Sequence, residues 1–157
     1  MLVSNLTGTI DSGSRLMHEL ISSCYQAYES FRSAAATSED DILKRLLEIY
    51  AQQRSRFAEE LREHLLSHGD NAPANDRCEW NPSLSLGEDS LRDCLESDSR
   101  TLQLYRQALC RRDLPTRTHF LISSQLALLE RAHERVSTLA NRTEMTRPTR
   151  APSVIQA

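Results

Sequence analysis

Glu130 and His133 are the residues whose types and spacing point most directly to chemistry in this chain. They lie three positions apart in an amphipathic segment, so a helix places both side chains on one face. In four-helix bundles, a Glu-x-x-His pair is part of a carboxylate-bridged di-iron site. A complete site needs a second such pair on another helix and one Glu from each of the remaining two helices.

The other segments of the chain supply only some of these ligands. Asp98 lies on the apolar stripe of its segment and is a candidate ligand, whereas Glu29 lies one position off its own stripe. The second segment should carry the second Glu-x-x-His, but the residue three before His64 is Leu61. Glu60 and His64 are four positions apart, which is a spacing usable for one metal ion.

The same region has a second interpretation. Arg54, Asp98 and His133 each interrupt an apolar stripe near the middle of a helix. A guanidinium group donates hydrogen bonds, repels cations and does not ligate them. These three residues would then form a structural polar core held by charge-assisted hydrogen bonds, with no cofactor. The metal hypothesis stays open beside it, with iron or manganese held by Glu130, His133, Asp98 and Glu29.

Composition narrows the class of protein. The chain has 157 residues, enough for one domain with a core, and only 4 Gly, 5 Pro and 5% aromatic residues, which favours helix over sheet. A net charge of -3 and a pI near 6.0 argue against nucleic acid as a partner. No apolar run approaches the roughly 20 residues that span a membrane, and no secretory signal is visible, so we expect a cytoplasmic protein without a membrane partner.

Apolar periodicity predicts an all-α fold. Four helices are expected at about 14–36, 39–67, 88–112 and 115–141, with an N-terminal arm at 1–13, a linker at 69–87 and a disordered tail at 142–157. Ser38 and Asp41 resemble a capping box, and Pro115 begins the fourth helix. Short first and third connections predict an antiparallel four-helix bundle. The longer linker either runs the length of the bundle or folds over one end.

The cysteines and the only tryptophan do not form a recognisable motif. None of Cys24, Cys78, Cys94 and Cys110 has zinc-finger or C-x-x-C spacing, so we interpret them as small buried hydrophobic residues in a reducing compartment. Trp80, in the linker, is expected to pack over one end of the bundle. A role in partner binding stays open for the linker around Trp80 and for the basic tail.

Several short stretches together resemble a bacterial ferritin-like four-helix-bundle family of unassigned function, a domain-of-unknown-function family. The stretches that carry this resemblance span most of residues 15 to 140 and are Leu16–Ile21, Glu29–Ala35, Gln52–Leu61, Leu102–Leu109, Asp113–Pro115, Gln125 and Ala132–Val136. The chain departs from the family at Gln26 and Tyr28, where acidic residues are usual, and in a shorter connection around 76–80. The resemblance implies a ferritin-like fold and no particular reaction.

The expected function follows from the incomplete ligand set. We expect a non-catalytic, cytosolic, ferritin-like bundle that acts as a structural or interaction module or in a stress response. An unknown protein partner and a homodimer are both compatible with the sequence. The alternative is a metal-binding protein, di-iron or mononuclear, with redox or iron-handling activity.

Overall fold

The structure is a computed structural model, and it describes residues 12–68 and 90–146. Within these ranges the chain is all-helical, with no strands and with four helices: α1 (Ser12–Thr37), α2 (Asp41–Ser67), α3 (Ser90–Leu109) and α4 (Thr116–Thr146). The prediction of a four-helix, all-α fold is confirmed. The linker at 69–87, with Trp80 and Cys78, lies outside the described residues, as do most of the N-terminal arm and the end of the tail.

The helix ends differ from the predicted ends at several points. α4 continues to Thr146, so residues 142–146 are helical where the sequence predicted a disordered tail. α3 ends at Leu109, before the predicted end at 112, and the chain turns towards Pro115. α1 begins at Ser12, inside the predicted N-terminal arm.

The start of α2 is capped by a different residue from the one expected. Asp40 is the N-cap, and its Oδ1 accepts hydrogen bonds from the backbone N–H groups of Ile42 at 2.8 Å and Leu43 at 3.1 Å. The predicted capping box of Ser38 and Asp41 is therefore wrong by two positions, and Ser38 Oγ instead donates to the Asp40 carbonyl. An acidic cap also suits the positive end of the helix dipole.

The helices pack as a ring of neighbours. α1 packs against α2 and α3, and α4 packs against the same two helices. The backbones of α1 and α4 are not in contact, and neither are those of α2 and α3. Among the described residues, no helix is both long and apolar enough to cross a membrane.

The core consists of two apolar clusters. The first cluster is built from all four helices and includes Leu20, Leu61, Leu102 and Leu129. The second includes Phe31, Leu47 and Val136. Along α2, α3 and α4, the members of the two clusters lie on either side of Arg54, Asp98 and His133, respectively.

Candidate functional site

Arg54 and Asp98 form an ion pair in the interior of the protein. Both side chains have 0% exposure. Arg54 Nε and Nη2 donate to the same carboxylate oxygen, Asp98 Oδ1, at 2.9 and 2.7 Å. Arg54 Nη1 donates to Gln53 Oε1 at 2.6 Å, which satisfies a further guanidinium donor. Because each charge has a close partner, the desolvation cost of burying it is offset by charge-assisted hydrogen bonds.

His133 contacts the second oxygen of the same carboxylate. Its Nδ1 lies 3.0 Å from Asp98 Oδ2, and since an ionised carboxylate only accepts, Nδ1 donates. The opposite ring nitrogen, Nε2, lies 3.5 Å from Ser99 Oγ. The His133 side chain is 23% exposed, whereas Arg54 and Asp98 are fully buried, so solvent reaches these three residues at the imidazole.

The first helix contributes an aromatic ring to the same level. The Arg54 guanidinium carbon lies 5.0 Å from the centroid of the Phe31 ring, a cation–π contact between two fully buried side chains. One side chain from each helix therefore lies at the same level of the protein. We call this group the central polar layer, and its members are Phe31, Arg54, Asp98 and His133. Arg54 and Asp98 link α2 to α3, two helices whose backbones do not touch.

A second chain of hydrogen bonds also joins all four helices. Tyr105 OH donates to Gln125 Oε1 at 2.8 Å, so its single proton is used and the Cys24 thiol, 3.2 Å away, must donate to the phenol oxygen. Gln125 Nε2 donates in turn to Glu60 Oε2 at 2.8 Å. Cys24, Tyr105 and Gln125 are buried, whereas Glu60 reaches the surface. We call this group the tyrosine layer.

Burial keeps the thiols and the phenol of the core protonated. It raises the pKa of Cys24 to about 11, and it raises the pKa of Cys94 further, with the Asp98 charge adding to the effect. The pKa of Tyr105 is also raised well above its usual value by burial and by Cys24. Cys24 and Cys94 are free and buried as expected. Cys110 is free but exposed, contrary to expectation, because it follows the end of α3.

The structure separates most of the predicted metal ligands. Asp98 and His133 come together, but Glu130 accepts hydrogen bonds from Arg106 at 3.0 and 3.2 Å on the surface. Glu29 lies 4.0 Å from Arg32, with 37% of its side chain exposed. No group of three or more His, Cys, Asp or Glu side chains in ranges 12–68 and 90–146 is arranged to hold a metal ion. Beside Asp98, the structure places a guanidinium.

Sequence reasoning missed the tyrosine layer. Tyr105 and Cys24 sit on apolar stripes where both types pass as ordinary core residues. The available signal was Gln125, an amide on the buried face of α4, since a buried amide requires hydrogen-bond partners on neighbouring helices. The Phe31–Arg54 contact had no sequence signal, because it depends on how α1 and α2 are rotated against each other.

A family model matches part of the chain. Residues 14–77 match the model of a family described as Domain of unknown function (DUF2383). The matched segment contains most of α1 and all of α2, and so Phe31 and Arg54, but not Asp98 or His133. No curated protein matches the chain.

Proposed function

We propose that the four helices form an antiparallel bundle. The contacts between α1 and α2 support this direction, since Tyr25 bonds to Glu59 while Phe31 packs on Tyr50, so residue numbers rise on one helix as they fall on the other. The α2–α4 pair behaves in the same way: the three contacts that show this are His64 with Thr118, Glu60 with Gln125 and Phe57 with Gln125.

The order of the helices favours the ferritin-like member of this class. The end of α1 meets the start of α3, where Thr37 Oγ1 and Ser90 Oγ are 2.5 Å apart. The end of α2 meets the start of α4, where His64 contacts Thr118. The end of α2 and the start of α3 therefore belong to opposite ends of the bundle. A bundle with one such long crossover is ferritin-like, whereas simple up-down bundles have only short connections.

We propose that a protein with this fold acts as a non-catalytic, cytosolic structural or interaction module. One such function is a role in a stress response. The observation that carries the proposal is the Arg54–Asp98 ion pair, in which a fully buried guanidinium occupies the centre of the bundle. A di-iron centre at that level needs several anionic oxygens to offset the charge of two cations. Arg54 already neutralises Asp98, and its own charge would repel an incoming metal ion.

An exposed apolar stripe on α2 supports the interaction role. Ile42 and Ile49 are 74% and 62% exposed, and Leu46 lies between them at helical spacing and is partly buried. We propose that this stripe packs against the same stripe of a second copy, since a two-fold homodimer buries one patch twice and is the commonest oligomer.

Metal analysis of the full chain, purified without chelators, tests the non-catalytic assignment. We expect no stoichiometric iron or manganese that depends on the central polar layer. Iron or manganese at one or two equivalents in the wild type, lost in His133→Ala but retained in the surface variant Glu96→Gln, would overturn it. Glu96 is a control because its side chain is 60% exposed beside Arg100 and is not a candidate ligand.

Light scattering after size exclusion tests the homodimer. We expect the wild type to have the mass of a dimer and Ile42→Glu to have the mass of a monomer. Phe120→Glu is the matched control, because Phe120 is also 74% exposed but lies on α4. A monomeric wild type, or equal dissociation by both substitutions, would contradict the proposed interface.

A further inference from the structure

The last turn of α2 carries a pair of histidines that the central polar layer does not involve. His64 and His68 are four positions apart, and His68 is the C-cap of the helix. Their ring centroids are 4.4 Å apart, with the planes tilted by 47°. Two histidines at this spacing present their rings on one helix face, which is how helix-borne zinc sites obtain two of their ligands.

Hydrogen bonds fix which nitrogen of His68 is free. Its Nδ1 lies 2.8 Å from the His64 carbonyl oxygen and 3.2 Å from Ser67 Oγ. The carbonyl only accepts, and the Ser67 hydroxyl proton is already donated to that same carbonyl at 2.7 Å, so Nδ1 carries the proton. The lone pair of the neutral ring is then on Nε2. A carbonyl that holds the far N–H is the usual outer support of a metal-binding histidine.

The second ring is held in a complementary way. His64 Nε2 lies 2.8 Å from Thr118 Oγ1 on α4, which anchors the imidazole and leaves Nδ1 as its other nitrogen. Neither His64 Nδ1 nor His68 Nε2 has a hydrogen-bond partner among the residues that the structure describes. Within the described part of the chain, each ring therefore offers one uncommitted nitrogen.

The local electrostatics act on a bound cation in two directions. Burial, with the nearby His68 and Arg117, lowers the pKa of His64, which favours the neutral ring, while the positive charge of Arg117 opposes the cation. The C-terminal end of α2 attracts it, because the unpaired carbonyls there give the helix dipole its negative end. Two imidazole nitrogens at 2.0–2.1 Å from one ion, near a right angle, put the ring centres about 4.5–5 Å apart. The observed separation of 4.4 Å is close to that requirement.

We propose that His64 and His68 form a two-histidine surface site for a divalent transition-metal ion of the zinc, copper or nickel type. Imidazole nitrogens suit these ions. Water completes the coordination, because the described residues place no third His, Cys, Asp or Glu with the pair. The site lies at the end of α2 and is independent of Arg54, Asp98 and His133.

Isothermal titration of the full chain with Zn²⁺ tests the site. We expect His64→Ala and His68→Ala each to weaken binding at least tenfold, because either loss destroys the chelate. His119→Ala is the control, since His119 is an exposed histidine adjacent in sequence to Thr118. The proposal fails if either single variant binds Zn²⁺ as the wild type does, or if His119→Ala loses as much.

Folding of the variants is checked separately. His68 is exposed at the helix end, so His68→Ala should keep the far-UV circular dichroism of the wild type. His64→Gln, which keeps a polar group within reach of Thr118, serves as a second variant at the more enclosed position. Full Zn²⁺ affinity in a folded His64→Gln protein would also overturn the site.

Discussion

Arg54 and Asp98 are fully buried, oppositely charged and 2.7 Å apart, and they join two helices whose backbones do not touch. The pair lies between two apolar clusters, so it divides the core into halves. A buried ion pair gains little over a well-packed apolar pair, but its geometry admits few alternatives. We therefore interpret the central polar layer as the feature that sets the register of α2 against α3, with His133 bound to the remaining carboxylate oxygen.

The tyrosine layer predicts a measurable cost for removing one hydroxyl. Tyr105→Phe leaves Gln125 Oε1 and the Cys24 thiol without their partner in the core. An unsatisfied buried polar group costs about 1–3 kcal/mol, so the free energy of unfolding in urea should fall by that amount. Tyr25→Phe is the control, because its hydroxyl donates to Glu59 at the surface, and its cost should be no more than about 1 kcal/mol. Equal losses in the two variants would contradict a special role for Tyr105.

His64 predicts a loss of stability on mild acidification. Its pKa in the folded protein lies below the ordinary value of 6.5, so the unfolded chain binds the proton more tightly. The contribution of His64 is fully present above pH 6.5 and is lost as the pH falls from there through the lowered folded-state pKa. Unfolding free energies measured with chelator present should show a steeper decline in the wild type than in His64→Gln. Parallel curves would show that His64 does not carry this dependence.

The thiols should differ sharply in reactivity. Burial raises the pKa of Cys24 to about 11, so almost none of it is thiolate at pH 8 and reagents do not reach it. Cys94 is equally buried, whereas Cys110 is exposed. Brief treatment of the native protein with iodoacetamide, followed by peptide mapping, should find Cys110 alkylated and Cys24 and Cys94 unmodified. In denaturant all three should react, and rapid native labelling of Cys24 would disprove its enclosure.

The N-cap of α2 gives a test of the helix start. Asp40→Ala removes an acceptor shared by two backbone N–H groups and should cost about 1 kcal/mol in the free energy of unfolding. Ser38→Ala, the position that the sequence pattern favoured, should cost clearly less because its hydroxyl caps no helical N–H group. A larger loss at Ser38 than at Asp40 would restore the original capping box.

The helices were predictable because they depend on local patterns. Apolar periodicity, Gly69 after α2 and Pro115 before α4 each act over a few residues, so they locate elements without knowledge of the fold. The ends of the helices were less predictable. α4 continues beyond residue 141 because its last turns carry no strong helix-stop signal before Pro148. The choice of Asp40 over Ser38 depends on one backbone turn, which spacing alone does not resolve.

The central polar layer was visible in sequence for a different reason. A charged residue on an apolar stripe must find a partner, and Arg54, Asp98 and His133 each occupy such a position. The apolar periodicity does not predict which oxygen of Asp98 binds Arg54 and which binds His133. Nor does it predict that Phe31 packs over the guanidinium, because both features depend on how the helices are rotated about their axes. The tyrosine layer could not be predicted for the same reason, because its members form a chain of hydrogen bonds only when the helices pack together.

The most direct test of the central claim is a double-mutant cycle between Arg54 and Asp98, measured as the free energy of unfolding in urea. Removing one partner leaves the other charge buried without a counter-ion. Arg54→Met and Asp98→Leu should therefore each lower the free energy of unfolding by about 3–5 kcal/mol. Arg54→Met/Asp98→Leu should recover most of that loss. As a surface comparison, Arg106→Met should cost less than about 1 kcal/mol. Single variants at Arg54 and Asp98 that lose no more than Arg106→Met, or a double variant that recovers nothing, would contradict the account.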